Sequence, residues 1–194
     1  MATKINAGNF FEDFSVGQDL PHATPRTVTT GDVALYTALF GGRYALQSAD
    51  TVAKAMGLPR SPVDDWLVFH IVFGKTVPDV SLNAVANLGY AQGRFLKPVY
   101  PGDTLSARST VIGLKENSNG KTGTVYVNSV GTDQHGETVL DYCRWVMIRK
   151  RDENAPAPAP VVPDLPDRVD PANLHAPAVS LSGLDDTLTG SPWR

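Results

Sequence analysis

Two adjacent carboxylates mark a place where chemistry could begin. Asp64 and Asp65 follow Ser61-Pro62-Val63 and precede the apolar run Trp66-Leu67-Val68-Phe69-His70-Ile71-Val72-Phe73. Ser61 is a good N-cap, Pro62 suits the first helical position, and Asp64 completes a capping box, so the pattern predicts a helix over 62–75. A helix N-terminus offers free N–H groups and the positive end of the helix dipole. A carbonyl oxygen gaining negative charge is stabilised there, and a carboxylate beside it can activate water. Both acids are equally at home as cap and first-turn residues, and the two readings stay open. His70, further along the same helix, reads either as a base reaching a cavity or as an ordinary core or interface histidine. His22 and His135 fall near expected loops and read as solvated.

The composition removes several classes of chemistry. Cys143 is the only cysteine, which excludes an intrachain disulfide and a cysteine metal cluster. No two histidines stand at metal-ligand spacing, so no metal is expected. The net charge of −3, without a basic stripe, argues against nucleic acid or an anionic membrane as partner. Residues 1–10 lack the pattern of a signal peptide, and the apolar run above is too short to span a bilayer. A cytoplasmic location is the expectation.

The elements that must position these residues follow from turns and periodicity. A strand is expected around 26–28. Thr29-Thr30-Gly31-Asp32 has the form of a capping box for a helix through Leu39, stopped by Gly41-Gly42. A second helix fits 49–56. The helix at 62–75 is apolar around almost its whole circumference, which predicts burial on all sides with Trp66, Phe69 and Phe73 in the core. Strands are expected at 83–95, with a break near Gly93, and at 104–114, 122–132 and 137–148. Asn119-Gly120 and His135-Gly136 mark the turns of a meander. In the last strand Leu140, Tyr142, Arg144, Val146 and Ile148 share one face. A helix enclosed by a curled antiparallel sheet is an α+β hotdog fold. The body runs over 8–151. Eight of the 15 prolines lie between 156 and 192, and 152–194 reads as an extended arm or inter-domain linker. Its Leu165, Val169, Leu174, Val179, Leu181 and Leu184 could lie on a surface.

Three strings then point to a family. Phe11-Glu12-Asp13-Phe14-Ser15-Val16-Gly17-Gln18, Arg26-Thr27-Val28-Thr29-Thr30-Gly31-Asp32 and Arg94-Phe95-Leu96-Lys97-Pro98-Val99-Tyr100-Pro101-Gly102-Asp103-Thr104-Leu105 resemble motifs of the MaoC-like dehydratases. Gly8 to Phe14, Leu67 to Asp79 and Arg144 to Asp152 are similar to the N-terminal half of the mesaconyl-CoA hydratases (β-methylmalyl-CoA dehydratases), which resemble two hotdogs in one chain. The resemblance implies reversible hydration of a branched, dicarboxylic enoyl-CoA such as mesaconyl-CoA. It also implies no resident cofactor beyond the coenzyme A of the substrate, and pairing with a second hotdog or with another copy. Ser191-Pro192-Trp193-Arg194 falls where a second repeat would begin.

The departures are as informative. Family hydratases carry an Asp and a His in the loop that matches residues 36–50. Here Gly42 and Gln47 stand in their places, and neither acts as a base near neutral pH. An Asp pair also replaces a His-Gly pair near Asp64. The resemblance therefore implies a half that shapes the substrate cavity while another half supplies acid and base. Asp65, Asp64 and His70 remain as candidate catalytic residues. Arg43 and Tyr44 in the altered loop, Asn87 and Gly89 on the strand that family tunnels pass, and Arg94 are candidate substrate contacts. Lys97 and Arg108 join Arg94 as cations that could meet coenzyme A phosphates. A hotdog thioesterase using Asp65 or Asp64, and a non-catalytic acyl-CoA-binding module, are the alternatives.

Overall fold

The computed structural model describes residues 7–174, 180 and 182. Five strands form one antiparallel sheet in the order β1-β3-β4-β5-β2, with β1 at Asp19–Thr27, β2 at Ala84–Phe95, β3 at Thr104–Glu116, β4 at Thr122–Thr132 and β5 at Thr138–Arg149. The helices are α1 (Thr30–Phe40), the short α2 (Ala45–Ser48) and α3 (Asp50–Ala55), and α4 (Asp65–Thr76), which lies against the sheet. A five-residue π turn, Val77–Ser81, continues α4. This is the hotdog architecture expected above. Among the described residues no helix is long and apolar enough to cross a membrane.

The β3–β4–β5 meander forms as its turn residues require, with Gly120 and Gly136 at positive φ. The capping box at Thr29 is also present, Asp32 accepting from the Thr29 N–H at 2.8 Å. Two elements differ from expectation. β1 starts at Asp19 and bulges between His22 and Arg26. Pro21 and Pro25 hide the strand in the sequence, yet an edge strand with one ladder partner tolerates proline. The second difference is the start of α4. Asp64, not Ser61, caps the helix, because the Ser61 N–H donates to Asp50 Oδ1 (2.9 Å) and the Val63 N–H to the Val99 carbonyl (2.7 Å), holding 61–63 outside it.

Burial of α4 is one-sided. Leu67, Val68, Ile71, Val72 and Thr76 are enclosed, but Trp66 is 60% exposed, His70 is exposed, and Phe69 and Phe73 are half-buried. The expectation of burial on all sides fails because one sheet can wrap only one side of a helix. The far flank, with Val85, Leu88 and Tyr90 of the edge strand β2, stays uncovered.

The sheet's inner face carries two apolar clusters. One gathers Val28, Leu67, Val72, Leu105 and Leu140; the other gathers Phe11, Leu20, Val111, Val127 and Val146. Between them runs a polar belt. His22, Thr76, Ser109, Ser129 and Arg144 are all buried in it, and the hydroxyl of buried Tyr142 joins them.

Past Arg149 the chain runs back over the sheet. Val161 pairs with Leu114 through two backbone hydrogen bonds of 2.8 Å. Leu165 and Pro166 lie by Tyr126 and Trp145. Of the arm's expected surface residues, Val169 and Leu174 are exposed. Val179, Leu181, Leu184 and the 191–194 segment lie outside the described residues, as do residues 1–6.

Candidate functional site

The first candidate group converges at the head of α4. Asp64 Oδ1 accepts from the Trp66 N–H at 2.8 Å, the geometry of an N-cap. Gln47 reaches the same turn. Turned so that its nitrogen faces Asp64, its amide donates to Asp64 Oδ2 (3.2 Å) and accepts from the Asp65 N–H (3.3 Å). Gly42 lies opposite, where an added Cβ would stand 3.8 Å from Asp64 Oδ2. Gly42, Tyr44, Gln47, Asp64, Tyr36 and Leu67 enclose a small pocket. The loop positions matched to a catalytic Asp and His thus do meet at the helix start. The groups now standing there satisfy one another, and two of the first helix N–H donors are taken.

Asp65 faces a different space. It lines a cleft of about 670 Å³ together with β2 residues 90–95, Asp141, and arm residues 166–170, 173 and 174. That volume is in the range of small-molecule sites. The residue keeps solvent access, yet the surrounding protein crowds its carboxyl and Asp64 stands beside it. These two effects, crowding first, push its pKa up to about 6. Asp64 and Asp65 therefore behave unlike one another: one is a bound cap, the other a carboxyl able to change protonation near neutrality.

Arg94 shares this cleft but is already paired. It donates to Asp141 Oδ2 at 2.7 Å, while Asn128 donates to Asp141 Oδ1 at 2.7 Å. Lys97 is held by Asp133 and Glu137, and Arg108 by Asp19. All three candidate phosphate ligands thus have acidic partners. Asp167, Arg168 and Asp170 of the arm add further charge to the cleft, so acids outnumber bases in its walls.

The remaining candidates lie elsewhere. Arg43 is exposed and Tyr44 belongs to the small pocket. Asn87 is exposed on β2. Gly89 has a packing reason to be glycine, because a Cβ there would run into the Trp145 indole, and it lines a shallow groove under the arm. His70 sits among Tyr36, Phe40 and Phe69 at ring distances of 5.9–6.4 Å. It is a surface aromatic neighbour, not a buried one.

Two features escaped the sequence. His22 is buried, not solvated. Its Nδ1 meets Asp79 Oδ2 and its Nε2 meets Ser109 Oγ, both at 2.7 Å, and Ser109 meets Ser129 at 2.7 Å. The early start of β1 turns this side chain inward, and the unread π turn delivers Asp79. The second is Arg144. Its place in the alternation among inward-facing Leu140, Tyr142, Val146 and Ile148 was the available signal, since a cation on an apolar face needs a reason.

Comparison with known proteins places this geometry in context. The family model described as mesaconyl-CoA hydratase matches residues 1–174. A β-methylmalyl-CoA dehydratase of Chloroflexus aurantiacus is 66% identical over 194 residues, covering 100% of this chain and 55% of that protein. A mesaconyl-CoA hydratase of Cereibacter sphaeroides is 60% identical over 192 residues, covering 98% and 56%. A solved MaoC domain dehydratase from Chloroflexus aurantiacus superposes with a TM-score of 0.92 at 61% identity, over 99% of this chain and 55% of that one. A double-hotdog protein of Mycobacterium tuberculosis gives 0.73 at 28% identity, over 93% and 56%. The chain spans about half the length of the curated relatives it matches.

Proposed function

Because the chain belongs to the mesaconyl-CoA hydratase family, we propose that it is the cavity-shaping hotdog of an enzyme that reversibly hydrates a branched, dicarboxylic enoyl-CoA. Hydration adds water across the double bond next to the thioester. A base takes a proton from water as its oxygen attacks the β-carbon, donors hold the enolate oxygen, and an acid protonates the α-carbon. One observation carries the division of labour. Gln47, standing at the expected base, has its amide within hydrogen-bond distance of Asp64 Oδ2 and of the Asp65 N–H. This helix head offers neither a free base in that loop nor its full set of donors.

A second hotdog then supplies acid, base and oxyanion donors. It covers the open flank formed by Trp66, Phe69 and Phe73 of α4 and by Val85, Leu88 and Tyr90 of β2. Pairing through β2 extends the sheet and seats the two central helices side by side. The cleft at Asp65 and Arg94 accepts uncharged parts of the thioester substrate, since Arg94 is paired with Asp141 and acids outnumber bases in its walls. Coenzyme A enters as part of the substrate, without a resident cofactor, and the enzyme works in the cytoplasm.

A thioesterase reading is favoured by one observation, the Asp65 carboxyl with its pKa of about 6 in an open cleft. One experiment separates the readings. The 194-residue chain and the full-length protein are assayed with mesaconyl-CoA, following both hydration and release of free thiol. The expected result is hydration by the full-length protein, at least about 10⁴-fold slower in the isolated chain, with thioester binding retained. Comparable hydration by the isolated chain overturns the proposal. Thiol release that disappears in Asp65→Asn establishes the thioesterase.

A further inference from the structure

The polar belt beneath α4 contains a charge without a counter-charge. Arg144 is fully buried on β5. Its Nη2 donates to two neutral hydroxyls, Thr76 Oγ1 at 2.8 Å and Ser81 Oγ at 3.2 Å. Nε and Nη1 have no partner; the buried Tyr142 hydroxyl stands near Ser129 and Thr76 without a well-formed hydrogen bond to either. Among the described residues no carboxylate stands within ion-pair distance of this guanidinium. The other buried cation, Lys150, does have its acid, Glu116 at 2.8 Å. Arginine keeps its charge even when buried, so the site cannot relieve itself by losing a proton. Cations enclosed in this way are held by anions.

The surroundings indicate the side from which an anion comes. The guanidinium carbon lies 4.6 Å from the centre of the Phe73 ring, and Tyr90 and Tyr142 flank it. Phe73 is half-buried and Tyr90 is 46% exposed, and both belong to the uncovered flank of α4 and β2. Arg144 is thus one aromatic layer beneath the surface assigned to the second hotdog.

We infer that Arg144, with the Tyr142 hydroxyl beside it, binds the free carboxylate of the acyl group and so selects dicarboxylic over monocarboxylic enoyl thioesters. The inference rests on the hydratase reading above. Nε and Nη1 face different edges of the guanidinium, and a carboxylate reaching either one gains a charge-assisted hydrogen bond. A nucleotide diphosphate is too large for this enclosed position. Distances also assign the thioester to the second half. Phe73 lies about 12 Å along α4 from Asp65 at 1.5 Å per residue. A four-carbon dicarboxylic acyl chain spans only about 5 Å between its carbonyls by ordinary bond lengths. A thioester at the head of α4 could not place its carboxylate at Arg144. If the edge strands pair about a two-fold axis normal to the sheet, the central helices run antiparallel. The head of the second helix then lies beside the Phe73 end of α4, within reach.

The test uses the full-length protein with mesaconyl-CoA and with tiglyl-CoA, a branched enoyl thioester of similar size that lacks the carboxylate. Wild type, Arg144→Met and Arg144→Lys are compared as the ratio of kcat/KM for the two substrates, which does not depend on the folded fraction of a preparation. The expected ratio falls about 30-fold or more in Arg144→Met, with partial recovery in Arg144→Lys. A ratio unchanged from wild type, with both activities reduced alike, overturns the assignment and makes Arg144 structural. Calorimetric binding of the same two thioesters gives a readout independent of turnover. If the wild type hydrates neither compound, the hydratase reading fails, while a binding preference for mesaconyl-CoA lost in Arg144→Met still supports the carboxylate site. Absence of that preference in the wild type overturns it.

Discussion

The two ends of α4 solve opposite problems. At its head, where a hotdog enzyme would keep donors and bases free, Asp64 caps Trp66 and Gln47 binds both Asp64 and the Asp65 N–H. At its tail, where a core should be apolar, a belt from His22 to Arg144 crosses the sheet and leaves two guanidinium nitrogens and a phenol without a well-formed hydrogen bond. The loop that the family resemblance expects to carry acid and base is here folded against the helix cap. The interior that should only pack is chemically unfinished. Satisfied groups read as structure and unsatisfied buried ones as a demand for a partner, because leaving a buried donor unpaired costs about 1–3 kcal/mol, and more when charged.

The comparison can be broken first at the belt. His22→Leu leaves Asp79 and Ser109 without their bond to the ring. The expected loss is about 2–4 kcal/mol, read from urea denaturation of the isolated chain. A loss below about 1 kcal/mol would show that the belt, though buried, holds nothing together.

A smaller effect sharpens the contrast between covered and uncovered sides of α4. Phe69 touches the rings of Trp66, Phe73, Tyr90 and Tyr142 but is only half-buried. Phe69→Ala should cost about 2 kcal/mol in this chain, below the 3–5 kcal/mol typical of an enclosed phenylalanine. With the proposed second hotdog present the loss should rise toward the upper range as the flank is covered. Equal losses in the two contexts would mean that the second half docks elsewhere.

Legibility in the sequence followed the distance over which each signal acts. The meander was readable because Asn119-Gly120 and His135-Gly136 fix turns locally and the alternation of 139–148 has period two. The Thr29 cap was equally local. The helix head at Asp64 was shifted because a remote residue, Asp50, holds the Ser61 amide. The one-sided burial of α4 was unreadable, since an apolar residue awaiting a partner looks the same as one already enclosed. His22 was lost because two prolines disguised β1, and its partners come from 57 and 87 residues away. Among the site candidates, the head of α4 was found from spacing. Whether each acid there was cap or titrating group depended on Gln47 and on crowding, which no local pattern encodes.

That last distinction gives the smallest and most discriminating prediction. A helix N-terminus favours a charged carboxylate by about 0.3–1 kcal/mol, so a first-turn Asp should have a lowered pKa. Asp65 goes the other way, to about 6, because crowding and the neighbouring Asp64 outweigh the dipole. The folded state then holds the Asp65 proton more tightly than the unfolded chain does. Stability therefore falls as pH rises from about 4 to about 6, and the full penalty stands above that window. Asp65→Asn removes it. The variant should match wild type at pH 4 and exceed it at pH 8. The gain should be about 1 kcal/mol, below the roughly 3 kcal/mol that the full shift would carry, because the side chain is open enough for water and salt to screen the repulsion. Urea midpoints at the two pH values, at low and high salt, decide the matter. A variant that instead loses stability at pH 8 would mean that the dipole wins. Asp65 would then be a second cap like Asp64, and the difference between the two adjacent carboxylates would vanish.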